Sequence, residues 1–98
     1  MPYYVYILEC KDKSLYTGFT NDLEKRIEKH NNSKSGAHYT KIRRPVKLKY
    51  YESFKTLSKA LKREIAIKKL NRKGKIDLII KKSRKYNLSS SSKIDKES

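Results

Sequence analysis

Two short runs of aromatic and β-branched residues, Tyr3 to Cys10 and Leu15 to Thr20, are separated only by the polar stretch Lys11 to Ser14. Alternating large apolar residues on both sides of a polar, turn-like spacer read as a β-hairpin, so the chain commits to a sheet within its first twenty residues. Asn21 followed by Glu24 resembles a capping box, and Leu23, Ile27 and His30 fall at i, i+4 and i+7. A first helix is therefore expected from about Asp22 to His30. The stretch "NNSKSGAHYTKIRRP" is a loop by composition, with Gly36 and Pro45 as punctuation. Val46 to Phe54 reads as a third strand, interior or edge according to its partners. Leu57, Ala60, Leu61, Ile65 and Ile67 mark a second helix, and "GKIDLIIKKS" adds a shorter one after Gly74. The expected order is ββαβα(α): a small α+β layer structure, with a three-stranded antiparallel sheet flanked by helices.

The length of 98 residues fits one small domain with a modest core. That domain is placed at residues 1–82. Residues 83–98 are expected to be a disordered basic, serine-rich tail, because "NLSSSSKIDKES" lacks apolar content. The formal net charge is +16, with 26 basic and 10 acidic side chains, and it is concentrated: residues 41–80 hold 14 basic and 3 acidic groups. So dense a positive field repels itself unless an anion meets it, which points to a polyanionic partner such as nucleic acid. No apolar run approaches a bilayer span, and the N-terminus lacks a basic leader and a small-residue cleavage site, so the expectation is a cytoplasmic protein without membrane contact. The single cysteine, Cys10, reads as a small core residue.

Three sets of polar residues interrupt apolar faces. Arg26 and His30 lie four apart and flank the stripe of Leu23 and Ile27, toward the rim of the sheet. On the second helix Glu64 falls in the arc of Leu57, Leu61 and Ile65, where a carboxylate is costly unless paired or bound to a cation. A structural ion pair with Arg26 or another base, and a ligand for Mg2+, both satisfy it. Tyr6 and Tyr16 place hydroxyls on strands where phenylalanine would pack without needing a partner, although core packing also accounts for tyrosines on strands.

Taken together, these residues resemble the GIY-YIG nuclease domain over roughly residues 2 to 82. Tyr4-Val5-Tyr6 is similar to the first triplet of that family and Tyr16-Thr17-Gly18 to the second, followed by Arg26, His30 and Glu64. The small stand-alone bacterial-type members are the most similar, through "SLYTG", "NDLEKRIEKHN", "YTKIRRPVKLKYYE" and "ALKREIAIKKL". Tyr4 stands where the family has its first glycine, Thr17 where it has its second isoleucine, and Lys13 where a turn glycine is common. An asparagine that several members use after the glutamate has only Asn71 nearby, at a short spacing.

The resemblance implies a metal-dependent endonuclease that hydrolyses phosphodiester bonds in DNA with one divalent cation, Mg2+ or Mn2+. In that role Glu64 anchors the metal, Arg26 neutralises charge on the phosphoryl oxygens, and Tyr6 handles the proton of the attacking water with Tyr16 or His30 assisting. Arg26 and the metal are expected to lower the Tyr6 pKa. Gly18 is expected to let the backbone approach substrate. Lys41, Arg43, Arg44, Lys47 and Lys49 read as clamps on the phosphate backbone, with Tyr39 stacking on a base or packing the loop; such contacts imply low sequence specificity and leave selectivity to a protein partner. The alternative is a module of the same fold that binds DNA or RNA without cutting. A third reading makes Glu64 and Arg26 an ion pair beneath a protein-interaction surface.

Overall fold

A computed structural model of the chain describes residues 2–32 and 38–91, the side chains of His38, Tyr39 and residues 83–91 excepted. Its elements run β1 (Tyr3–Glu9), β2 (Leu15–Thr20), α1 (Leu23–Asn32), α2 (His38–Lys41), β3 (Lys47–Phe54), α3 (Leu57–Lys68) and α4 (Arg72–Ser91). The three strands form one antiparallel sheet in the order β2-β1-β3. This is the α+β arrangement and the element order expected from the sequence, with the short helix α2 added inside the predicted loop. Residues 33–37 of that loop lie outside the described ones. Among the described residues no helix is long and apolar enough to cross a membrane.

Because β1 is the middle strand, both of its faces are covered, and Val5, Tyr6, Ile7 and Leu8 are all 0% exposed. Val5 and Ile7 join Tyr50, Ala60 and Ile67 in a core beneath α3 and α4. Tyr6 and Leu8 join Cys10 and Val46 in a second core, against which Tyr16, Leu23, Ile27 and Leu48 pack under α1. Cys10 is thus the buried core residue that its position suggested. The third strand is an edge. Its register slips between Ile7 and Leu8, where Tyr50 and then Leu48 are the partners, so Lys49 is the extra residue of a β-bulge. The bulge turns Leu48 onto the α1 face together with Tyr51, against the strict alternation of a regular strand.

Side chains finish the ends of the elements. The hairpin turns through Lys13 at a φ of 73°, a left-handed conformation that glycine adopts without strain. Asp12 Oδ1 accepts from the Ser14 amide at 3.0 Å, and Arg72 Nη1 donates to the Lys13 carbonyl at 2.8 Å. Helix α1 starts one residue later than the expected capping box: Asp22, not Asn21, accepts from the Lys25 amide at 3.2 Å. Thr56 caps α3 through the Lys59 amide, and Asn71 caps α4 through the Gly74 amide at 2.8 Å, which gives Asn71 a structural occupation.

Two expectations about the later helices change. On α3 the sheet-facing line is Ala60, Glu64 and Ile67; Leu57 and Ile65, assigned to the buried stripe, are 41% and 54% exposed. Both lines have helical spacing, and the small Ala60 lets the helix approach the sheet closely where Leu57 would hold it away. Helix α4 packs Leu78 and Ile79 on the first core and continues to Ser91, past residue 83 where the tail was expected to begin. Arg84, Lys85 and Leu88 are good helix formers, and no proline or glycine follows Gly74 to stop the helix.

Candidate active site

The residues that the hairpin and α1 contribute meet around one phenol. Tyr6 lies opposite Gly18 in the β1-β2 register, and its ring passes over that glycine. A Cβ at position 18 would stand 2.5 Å from the Tyr6 hydroxyl oxygen and 2.7 Å from Cζ. Gly18 therefore makes room for Tyr6, whereas the sequence suggested that it makes room for substrate. The fully buried hydroxyl has two partners on α1: Arg26 Nε at 3.3 Å and His30 Nε2 at 2.9 Å. His30, also 0% exposed, contacts Thr40 Oγ1 at 2.7 Å through Nδ1. Tyr16 stands edge-on to the His30 ring with centroids 5.1 Å apart and lies 6.5 Å from the Tyr6 ring.

Chemistry assigns the protons in this chain. Arginine can only donate, so the Tyr6 oxygen accepts from Arg26; the buried phenolic proton is satisfied when it is given to His30 Nε2, the other partner. A neutral His30 then carries its proton on Nδ1 and donates to Thr40. The imidazole is held neutral because burial, then the Arg26 and Arg44 charges, lower its pKa from 6.5 to about 4. Burial also pushes the Tyr6 phenol up from 10.0; the Arg26 hydrogen bond and charge oppose this and lose, while Tyr16 and Glu64 add to the rise. The expectation that Arg26 helps lower the Tyr6 pKa is thus only half met, because desolvation outweighs the guanidinium. Arg26 is in turn held more firmly charged by Tyr6, with Tyr16 contributing.

Glu64 comes from the helix on the other face of the sheet, yet its charge is felt at Tyr6. Its side chain is 12% exposed and pairs with Lys68 at 3.2 Å, one helical turn on. Neither an ion pair with Arg26 nor a fork with Arg63 engages it, since Arg63 is bound to Glu52 of β3 at 2.9 Å. Among the described residues no group of three or more His, Cys, Asp or Glu could hold a metal. Glu64 thus offers a single carboxylate, already paired with Lys68; Mg2+ is a cation that one carboxylate can hold when water and phosphate oxygens fill its other positions. Tyr6, Tyr16, Arg26 and His30 share one cluster, and Glu64 acts on it through space.

The expected phosphate clamps divide. Lys41, Lys47 and Lys49 are exposed. Arg44 turns inward, donating from Nε to the His30 carbonyl at 2.5 Å and from Nη2 to the Lys29 carbonyl at 3.2 Å, and so caps the C-terminus of α1. Arg43 pairs with Asp12 of the hairpin turn at 3.0 Å. Free carbonyls at the helix end hold Arg44 and the hairpin-turn carboxylate holds Arg43, so both arginines serve structure first. The Tyr39 side chain lies outside the described residues.

Sequence reasoning passed over four residues. Thr40 orients His30. Asn31 exchanges two hydrogen bonds with the Val46 backbone, at 2.7 and 3.2 Å, and ties the loop before β3 to α1. Lys25 and Lys29 line, with Arg26, a cleft of about 80 Å³ at the end of β2. Their i, i+4 spacing beside Arg26 was the available signal for the lysines; nothing local marks Thr40 or Asn31.

Comparison with known proteins gives a matching family, relatives and a similar solved fold. Residues 2–77 match the family described as the GIY-YIG catalytic domain. A UPF0213 protein of Staphylococcus saprophyticus is 61% identical over 77 residues, covering 79% of this chain and 93% of its own. One of Clostridium perfringens is 60% identical over 80 residues, covering 82% and 85%. The solution NMR structure of a UPF0213 protein from Bacillus halodurans superposes with a TM-score of 0.57 at 42% identity, over 93% of this chain and 96% of that one.

Proposed function

This chain belongs to the GIY-YIG family, and on that premise we propose that it is a metal-dependent endonuclease cutting phosphodiester bonds in DNA with little sequence specificity. The observation that supports the reading is the buried chain Arg26, Tyr6, His30, Thr40, in which one proton order satisfies every contact. A scissile phosphate rests against Arg26, the guanidinium at the mouth of the basic cleft beside Lys25 and Lys29. The Tyr6 oxygen, buried behind Arg26 in the free protein, meets the attacking water once the phosphate draws on that guanidinium. As the water gives its proton to that oxygen, the phenolic proton passes to His30 Nε2, and the net transfer is from water to histidine. The phosphate's negative charge against Arg26 offsets one of the fields that hold His30 neutral, so substrate binding makes the imidazole a better acceptor. Thr40 keeps the accepting nitrogen aimed at Tyr6. Glu64 would hold the cation, which when bound activates the scissile phosphate and stabilises the leaving oxygen.

The test is incubation of the purified protein with single-stranded, duplex and branched DNA and with RNA, in Mg2+, Mn2+ or chelator, alongside Glu64→Gln. Cutting that needs metal and disappears in the variant is the expected result. Tight binding without cleavage of any substrate would identify a non-catalytic nucleic-acid-binding module instead.

A further inference from the structure

Next to the catalytic cluster, on the same face of the sheet, lies a cleft of about 400 Å³ walled by Tyr4, Tyr51, Ile27 and Leu48, with Asn21 and Glu24 among its polar lining. Tyr4 is two residues from Tyr6 on β1, and Tyr51 is the partner of Tyr6 on β3. The bulge at Lys49 brings Leu48 onto this face beside Tyr51. The two tyrosine rings meet edge to face at 6.0 Å, and Tyr51 is 41% exposed. Asn21 and Asp22 line both this aromatic cleft and the basic cleft of Lys25, Arg26 and Lys29, so the two adjoin.

An aromatic hollow adjoining a cluster of cations offers a flat, apolar contact one step from a site for phosphate. A paired base cannot use it, because its faces are already stacked and its edge is engaged; an extruded or unpaired base can. We propose that this cleft takes an unpaired base of the DNA strand whose phosphate lies against Arg26, so that the protein selects single-stranded or branched DNA over continuous duplex. The proposal rests on the nuclease reading and adds the substrate's structure to it. Tyr51 supplies the stacking surface with the ring face that Lys82 leaves open, since the Lys82 ammonium lies over the other face 4.0 Å from the centroid.

Fluorescence anisotropy in chelator, with a labelled single strand and the same sequence as duplex, tests this on wild type, Tyr51→Ala and Tyr51→Phe. Tyr51→Ala should weaken single-strand binding by roughly 5- to 150-fold, the usual range for one base-aromatic stack, and leave duplex binding nearly unchanged. Tyr51→Phe should keep single-strand affinity. Equal losses on both substrates, or none, with a wild type that still cuts DNA in metal, would overturn the base cleft and leave the nuclease standing. A wild type that cuts no substrate in metal removes both.

Discussion

Replacing Gly18 with alanine would test the packing that seats Tyr6 against His30 and Arg26. The new methyl would meet the Tyr6 hydroxyl oxygen at 2.5 Å, Tyr6 Cζ at 2.7 Å and Tyr16 Cε2 at 3.2 Å, all closer than ordinary contact. Tyr6 is fully buried and cannot swing aside without leaving His30 and Arg26. Overpacking of this kind costs about 1–3 kcal/mol, and a weakened buried hydrogen bond about 1 more. Alanine also restricts the unfolded chain, which returns about 0.4–1 kcal/mol. The net loss of about 2–3 kcal/mol corresponds, for a domain of this size, to a fall in Tm of roughly 10–25 °C. Thermal unfolding followed by circular dichroism measures it. Tyr6→Phe removes the atom met at 2.5 Å but leaves Cζ at 2.7 Å, so the double variant should lose less than the sum of the singles. A Gly18→Ala protein melting within about 2 °C of wild type, or fully additive losses, would refute the account of how Tyr6 is seated.

Folded His30 titrates near 4 against 6.5 for the ordinary group, so the unfolded chain takes up this proton first as the pH falls. The stability it contributes is complete above pH 6.5 and is lost between there and about 4, a change of about 3 kcal/mol. Urea unfolding at several pH values should show this slope in wild type and not in His30→Asn; an NMR titration of His30 near 6.5 would contradict it. Arg44→Ala should destabilise the fold by about 1–2 kcal/mol through the exposed end of α1. Lys47→Ala with Lys49→Ala should instead leave stability nearly unchanged and flatten the salt dependence of duplex binding by roughly one unit of slope per lost phosphate contact, read from affinities at several salt concentrations. Thr17 Oγ1 is a buried side-chain oxygen without a hydrogen-bond partner among the described residues. Thr17→Val should therefore raise stability by about 1 kcal/mol in urea unfolding, and a loss would show that the hydroxyl is satisfied.

Much of the site was readable because most of it is local. Tyr6, Tyr16 and Gly18 belong to one hairpin whose strands are joined by five residues, and Arg26 and His30 to the helix that follows. Strand alternation and helical spacing turn those intervals into directions, so hydroxyls and charges on otherwise apolar faces stood out. Glu64 was legible as a carboxylate on a buried arc, but the apolar residues around it misled. Two lines of helical spacing run along α3, Leu57-Leu61-Ile65 and Ala60-Glu64-Ile67, and a repeat defines a face only relative to the helix's own axis.

The sequence by itself settled the strand and helix order, the sign of the surface field and the chemical kinds gathered at the hairpin and first helix, because these follow from local propensity and counting. The tertiary structure alone decided which face of α3 meets the sheet, and that Lys49 bulges and turns Leu48 toward α1. It also decided that Arg43 and Arg44 bind the protein's own acceptors, and that Tyr6 stays a neutral phenol despite Arg26. Each of these depends on what lies across a gap from a residue, on competing partners and on the water removed when elements close. Those quantities come into being only with the packed assembly.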